Sequence, residues 1–264
     1  MHRILCAVVA LLSLQPLHSA EIRHRFLALD ESRNQLVYVD QLEPSKDWTI
    51  QLPSKHRDLQ LVGHGVVMLT YPDGYREYRL SDQQLVKELK GYAGATSARR
   101  LSDGRTILAC NREGVTVWEL GADDKPLRSV NFQVATTRLL RRTPQGTLLF
   151  GSSNQVFEGD WTGKTVRTWT LPQGSWVYQA LRMPNGHVLA AGGYDPSLRQ
   201  IDPDEKLVKT TGGKQTPECQ ALGYHFFGAF QVLPGGDIVV CNWTGHGAKD
   251  SSKGVQIVQY GPDG

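Results

Sequence analysis

Short apolar runs alternate with polar turns along nearly the whole chain, and the runs return in a fixed order. The recurring unit is two turn-forming residues, a Gly, one variable residue and then a β-rich apolar stretch. It reads SDGRTILAC from Ser102, TPQGTLLFG from Thr143, MPNGHVLAA from Met183 and LPGGDIVVC from Leu233, with a weaker GHGVVMLTY from Gly63. Gly65, Gly104, Gly146, Gly186 and Gly236 anchor the copies at spacings of 39, 42, 40 and 50 residues. Behind each run comes a second alternating segment, such as VTVWEL from Val115 or VQIVQY from Val255. A polar turn such as Thr162-Gly163-Lys164 follows, then a further segment such as TVRTWTL from Thr165. Alternation bounded by Gly, Pro, Asp and Asn predicts half-buried strands. No window of 12 or more residues carries a helical stripe.

A period near 40 residues suits a blade of four short strands, with an inner strand A, the Gly-anchored strand B, then C and D. Upstream, RFLALD from Arg25 matches B, LVYVDQ from Leu36 matches C and WTIQLP from Trp48 matches D, giving a sixth copy without its A. The last copy reaches Gly261-Pro262-Asp263-Gly264 where the others turn into D. The expectation is an all-β, six-bladed β-propeller, one domain over residues 21–264, incomplete at its first and last blades. A ring built this way has a gap two strands wide, which on the order of 20 further residues of a longer chain would fill. The competing architecture is a β-sandwich with regularly spaced turns.

MPNGHVLAA from Met183 and DWTGKTVRTW from Asp160 resemble the PQQ-repeat-like and arylsulfotransferase-like secreted bacterial propellers, and the resemblance covers most of residues 24–264. It implies a fold more than an activity. Quinone-dependent dehydrogenases of that superfamily are much longer and carry adjacent cysteines, which this chain lacks, so no cofactor is expected. Gly192-Gly193-Tyr194 is a single kelch-like occurrence, and no strand ends in the Trp-Asp of WD40 repeats.

The first twenty residues break the pattern. His2 and Arg3 precede an apolar run from Ile4 to Leu14, then Gln15, Pro16 and the small pair Ser19 and Ala20, the form of a secretory signal peptide over residues 1–20. No later stretch is apolar for the roughly 20 residues a bilayer span needs, so an exported, periplasmic or extracellular, non-membrane-spanning protein is expected. Cys6 lies ahead of most of the apolar run, the wrong order for a lipid-anchored cysteine. Cleavage would leave 28 basic against 26 acidic residues, too balanced and too interspersed for nucleic acid to be the partner. Three cysteines remain, Cys110, Cys219 and Cys241, without C-x-x-C spacing. Cys219 and Cys241 could form a disulfide between the two long loops, or each could sit in the fold as a small buried hydrophobe.

Propeller topology, taken from the resemblance, puts the D-to-A connections and B-to-C loops on one face around the channel. The longest are Thr210 to Tyr224 and Cys241 to Gly254, both in the last blade, and long loops on a rigid scaffold are where binding residues gather. The candidate ligand-binding residues are His56, Trp176, Tyr178, His225, Trp243 and His246. His225 and His246 should lie on one face near the axis, with His56 approaching from the second blade. Imidazoles and aromatics in a concave mouth suit a ligand, and His can also act as a general base. The same residues could instead fill the channel or make turns, and no metal is expected from ligands scattered over separate blades. Arg99-Arg100, Arg138, Arg141-Arg142 and Arg182 recur near strand A; they either form a positive funnel for an anion or pair with nearby acids. Two functions remain open. One is a non-catalytic scaffold for an unknown small molecule or protein, monomeric if the ring closes. The other is an enzyme of arylsulfotransferase-like or carbohydrate-processing type with a His-containing site, although no nucleophile elbow or H-E-x-x-H is present.

Overall fold

The computed structural model describes residues 22–247 and 249–264; the signal segment read over residues 1–20 lies outside them. Six antiparallel sheets follow one another in chain order. Blade 1 holds β1 (Arg25–Asp30), β2 (Gln35–Asp40) and β3 (Trp48–Gln51). Blade 2 holds β4 (Leu59–Gly63), β5 (Val66–Tyr71), β6 (Gly74–Arg79) and β7 (Leu85–Leu89), and blade 3 holds β8 (Ala95–Arg100), β9 (Thr106–Asn111), β10 (Val115–Leu120) and β11 (Pro126–Phe132). Blade 4 holds β12 (Leu140–Arg142), β13 (Leu148–Ser152), β14 (Gln155–Gly159) and β15 (Thr165–Thr170). Blade 5 holds β16 (Ala180–Arg182), β17 (Val188–Ala191), β18 (Ser197–Ile201) and β19 (Leu207–Gly212). Blade 6 holds β20 (Phe227–Val232), β21 (Ile238–Asn242) and β22 (Ile257–Tyr260). Among the described residues the first and last blades thus have three strands each, as the sequence pattern implies.

The repeated turn sits between strands A and B. Its glycines take the left-handed backbone, Gly104 at φ +85° and Gly236 at φ +91°, which a side chain would strain. The connection from β19 to β20 departs from the all-strand expectation with one short helix, α1 (Pro217–Ala221). Thr216 caps it by accepting from the Cys219 N–H, Pro217 opens it and Glu218 follows in the first turn. Five residues are too few to leave a periodic stripe.

Each blade seals against the next with apolar side chains from facing sheets. Leu36, Val67 and Leu69 join blades 1 and 2, and Met68, Tyr75 and Leu108 join blades 2 and 3. Phe132 and Phe150 join blades 3 and 4, Trp169 and Val188 join 4 and 5, and Phe227 and Val240 belong to the layer between 5 and 6. Phe150 is fully buried between Phe132 and Phe157, at ring distances of 5.3 and 5.8 Å. Around the axis, side chains clip the backbone of the following blade. Gln60 bonds both polar groups of the Arg100 backbone, Gln179 does the same to Phe230, and Ser97 to Leu140. The seam from blade 6 to blade 1 is polar by comparison: the His24 ring meets the Gln259 amide, and the Ser32 hydroxyl donates to the Gly245 carbonyl at 3.3 Å.

Candidate functional site

The D-to-A connections and B-to-C loops form one face, and it has an aromatic half and a cationic half. The aromatic half is organised by Asn242 at the end of β21. Its side chain, 1% exposed, accepts from the N–H groups of His225 and Phe226 and donates to the carbonyls of Gly223 and Val255. The Trp243 N–H donates to the Phe226 carbonyl at 2.8 Å. The two loops that carry His225 and Trp243 are therefore fixed to one another. Tyr194 joins from blade 5, presented by Gly193, where φ is +64° and a Cβ would fall 2.1 Å from the Trp176 carbonyl oxygen. Tyr194 packs edge-on against Phe226 at 4.7 Å and His225 at 5.8 Å, while Tyr178 meets Phe226 at 5.7 Å. Trp243 lies between the two imidazoles, 5.8 Å from His225 and 4.5 Å from His246. Edge-to-face packing covers one face of one ring in each pair, and Tyr194 (43%), His225 and His246 remain exposed.

The cationic half lies on blades 2 to 4. Asp58, just before β4, is 2% exposed and bonds Arg99 of blade 3 at 2.6 Å and Arg141 of blade 4 at 2.8 Å. The Ser97 hydroxyl adds a third donor. An ion pair from blade 2 to blade 4 skips blade 3, so it lies at the axis. Burial, with the Arg141 charge beside it, lowers the Arg99 pKa to about 10. Nearer the mouth Arg57 pairs with Glu31 of blade 1 at 3.6 Å, and the Tyr178 hydroxyl donates to the same carboxylate at 3.2 Å. Tyr178 is on blade 5, so this contact also crosses the axis. Desolvation, then the Glu31 charge, raises the Tyr178 pKa, so the phenol stays protonated.

Arg138 completes this half. Asn111 at the end of β9 exchanges two hydrogen bonds with the Thr137 backbone, and the Leu139 N–H donates to the Tyr178 carbonyl. Thr137 and Leu139 bury their side chains at 1% exposure, so the intervening half-buried Arg138 points the other way. Its charge is felt at Tyr178, and it has no ion-pair partner among the described residues.

The structure thus brings together four of the six sequence candidates: Tyr178, His225, Trp243 and His246. Trp176 stands beside them, 37% exposed and held by its backbone N–H on the Gly192 carbonyl, without a ring partner among the described residues. His56 is a correction. It is 2% exposed inside blade 2, its Nδ1 donating to the Ser54 carbonyl at 2.7 Å and its ring 5.8 Å from Tyr71. Burial first, then the Arg76 charge, lowers its pKa to about 4, so it is a neutral packing residue. Cys219 and Cys241, beside the long loops, are not bridged: like Cys110 they are free thiols, with Cys110 and Cys219 buried and Cys241 exposed.

The arginine series divides. Arg100 and Arg182 clamp the preceding blade through Glu77 and Glu158, Arg99 and Arg141 face the axis on Asp58, and Arg138 has no ion-pair partner among the described residues. Sequence reasoning missed Asn242, Asp58 and Glu31. A signal for the first was present, since the Cys-Asn pair ending β9 recurs at the end of β21.

Two other concavities lie away from the axis. One of about 390 Å³ runs along blade 3 beside Tyr92, Arg112 and Trp118, and one of about 270 Å³ lies between blades 4 and 5 beside Trp169, Arg199 and Ile201. The first is lined also by Lys90 and Thr116, the second by Thr168, Thr170 and Glu205. Among the described residues no group of three or more His, Cys, Asp or Glu side chains gathers, and no helix is long and apolar enough to cross a membrane.

No protein-family model matches the chain, and no curated protein matches it either. Solved structures do. A Bacteroides caccae protein of unknown function superposes with a TM-score of 0.78 at 18% identity, over 92% of this chain and 91% of that one. The fold is a β-propeller of six blades. The calcium-binding protein regucalcin from Agrobacterium tumefaciens follows at 0.64 and 12% identity, covering 89% and 88%. Virginiamycin B lyase from Staphylococcus aureus gives 0.56 at 12% identity, covering 89% and 83%. At these identities the likeness concerns fold, and a fold shared by a calcium-binding protein and a lyase does not carry one activity.

Proposed function

We propose that this chain is an exported propeller that binds a small organic molecule at its mouth without transforming it. The observation that carries the reading is the edge-to-face cluster of Tyr178, Tyr194, Phe226 and Trp243, whose loops Asn242 ties together and in which Tyr194 is exposed and Trp243 partly so. Rigid aromatics offer contact area at low entropic cost. Neither His225 nor His246 has a ring hydrogen bond to a described residue, and Asp250, the carboxylate whose charge reaches His225, is engaged by the Gly247 N–H and Lys253. The finer placement among the PQQ-repeat-like and arylsulfotransferase-like propellers rests on the turn-then-aromatic stretch around Trp161 and Trp169, which here packs blades together.

The second reading, an enzyme acting on aryl sulfates or glycosides through His225 and His246, is favoured by one observation: two exposed imidazoles flank one indole. The purified mature chain incubated with 4-nitrophenyl sulfate and 4-nitrophenyl glucoside separates the two. Binding by calorimetry with no release of nitrophenolate fits the scaffold reading. Release that disappears in the His225→Ala, His246→Ala double variant would replace it with the enzyme.

A further inference from the structure

We propose that the ligand of this mouth carries an oxyanion, a carboxylate, sulfate or phosphate, which Arg138 captures and the Arg99–Arg141 pair draws toward the axis. The inference rests on the mouth being the binding site and adds the chemical class of what enters it. Its basis is an uncompensated charge. Arg57, Arg99, Arg138 and Arg141 reach the axis or its mouth, and the acids that meet them there are Asp58 and Glu31. Asp58 serves two guanidinium groups at once, and the Nε of Arg99 is buried without a hydrogen-bond partner. Glu31 is shared between Arg57 and the Tyr178 hydroxyl. Among the described residues nothing of opposite charge is left for Arg138.

An unpaired guanidinium at a partly buried site loses hydration without gaining a partner, and an entering anion supplies both charge and acceptors. Arg is suited to this because its planar fork matches two oxygens of a carboxylate, sulfate or phosphate. Arg138 and Arg141 lie three residues apart on the way into β12, roughly 10 Å at the usual strand rise. A molecule of one ring plus one acidic group would set its acid on Arg138 or below it, beside Tyr178, which the Arg138 charge reaches. Its ring would then lie toward Tyr194 and Trp243.

The test is isothermal titration calorimetry of the mature chain with four probes of similar size: 4-nitrophenyl phosphate, 4-nitrophenyl sulfate, 4-nitrobenzoate and the neutral 4-nitrobenzyl alcohol. At least one anion should bind about tenfold or more tighter than the alcohol, and which one it is identifies the group. Arg138→Gln should remove that advantage while leaving the alcohol unchanged and the melting temperature near that of the parent. Arg138→Lys, which keeps the charge and loses the fork, should retain part of it, and it serves if the Gln variant folds poorly. Equal binding of anions and alcohol, both weakened by Trp243→Ala, would overturn the oxyanion and keep the mouth as the site. Anion binding indifferent to Arg138 and Trp243 alike, or no binding by any probe, would overturn both.

Discussion

Asn111 closes the second strand of blade 3 and Asn242 closes that of blade 6, and each holds with its side-chain amide a connection that runs toward the axis. What the two connections carry is different. Blade 3's asparagine fixes Thr137 and so aims Arg138; blade 6's fixes His225 and Phe226 and so assembles the rings around Trp243. One structural device, repeated by the fold, has been loaded with charge on one side of the mouth and with aromatic surface on the other. The framework beneath is indifferent to this division, since apolar layers of the same kind seal five successive blade junctions. Stability and binding should therefore separate by residue.

The largest effect should come from the framework. Phe150→Ala removes a fully buried ring between two others and should cost about 3–5 kcal/mol in chemical denaturation, without a direct effect on any mouth residue. A loss under about 1 kcal/mol would mean that the junction of blades 3 and 4 is not a packed core. Asn242→Ala comes next. It strands two buried N–H groups and two carbonyls, so a loss of about 2–4 kcal/mol is expected, against roughly half that for Asn111→Ala, which breaks two bonds. Equal losses would erase the distinction between the two halves.

These positions also mark what the sequence could disclose. The blade count and the strand order follow from glycines such as Gly104 and Gly236 recurring at near-constant spacing, because the φ > 0 turn they make leaves a local signature, whereas the grouping of loops at one mouth came from the resemblance to secreted propellers. His225 and Trp243 were legible because the longest loops belong to one blade. His56 was not. It occupies the same kind of connection, yet its alternation partner Asp58 turns to the axis while its own ring is taken up by Ser54, Tyr71 and Arg76. Asp58, Glu31 and Arg138 depend on contacts across the ring, between residues as far apart as Asp58 and Arg141, and no local pattern reports these.

His56 gives the next prediction. Its pKa is about 4 folded against 6.5 for a free imidazole, so the unfolded chain binds the proton first. Stability should be unaffected by this group above pH 6.5 and fall as pH drops toward 4, by about 2 kcal/mol at pH 5. Urea melts of the parent and His56→Gln between pH 7 and 5 check this; the variant should lose most of the slope, and parallel curves would contradict the burial of a neutral ring. The smallest stability effect belongs to the mouth. His225→Ala alters an exposed ring and should move stability by no more than about 0.5 kcal/mol, and a loss of several times that would make the aromatic half part of the framework.

The six tryptophans report separately on the mouth and on the rest of the ring, since Trp118 and Trp169 line the two side grooves, Trp48 and Trp161 pack within the ring, and Trp176 and Trp243 stand at the mouth. Indole N–H signals of nitrogen-15 labelled residues 21–264, assigned by single Trp→Phe variants, can be followed during titration with 4-nitrophenyl phosphate. A saturable shift of the Trp243 signal is expected, with Trp118, Trp169, Trp48 and Trp161 unmoved. Saturable shifts at Trp118 or Trp169 with Trp243 silent would place the ligand in a side groove and contradict it.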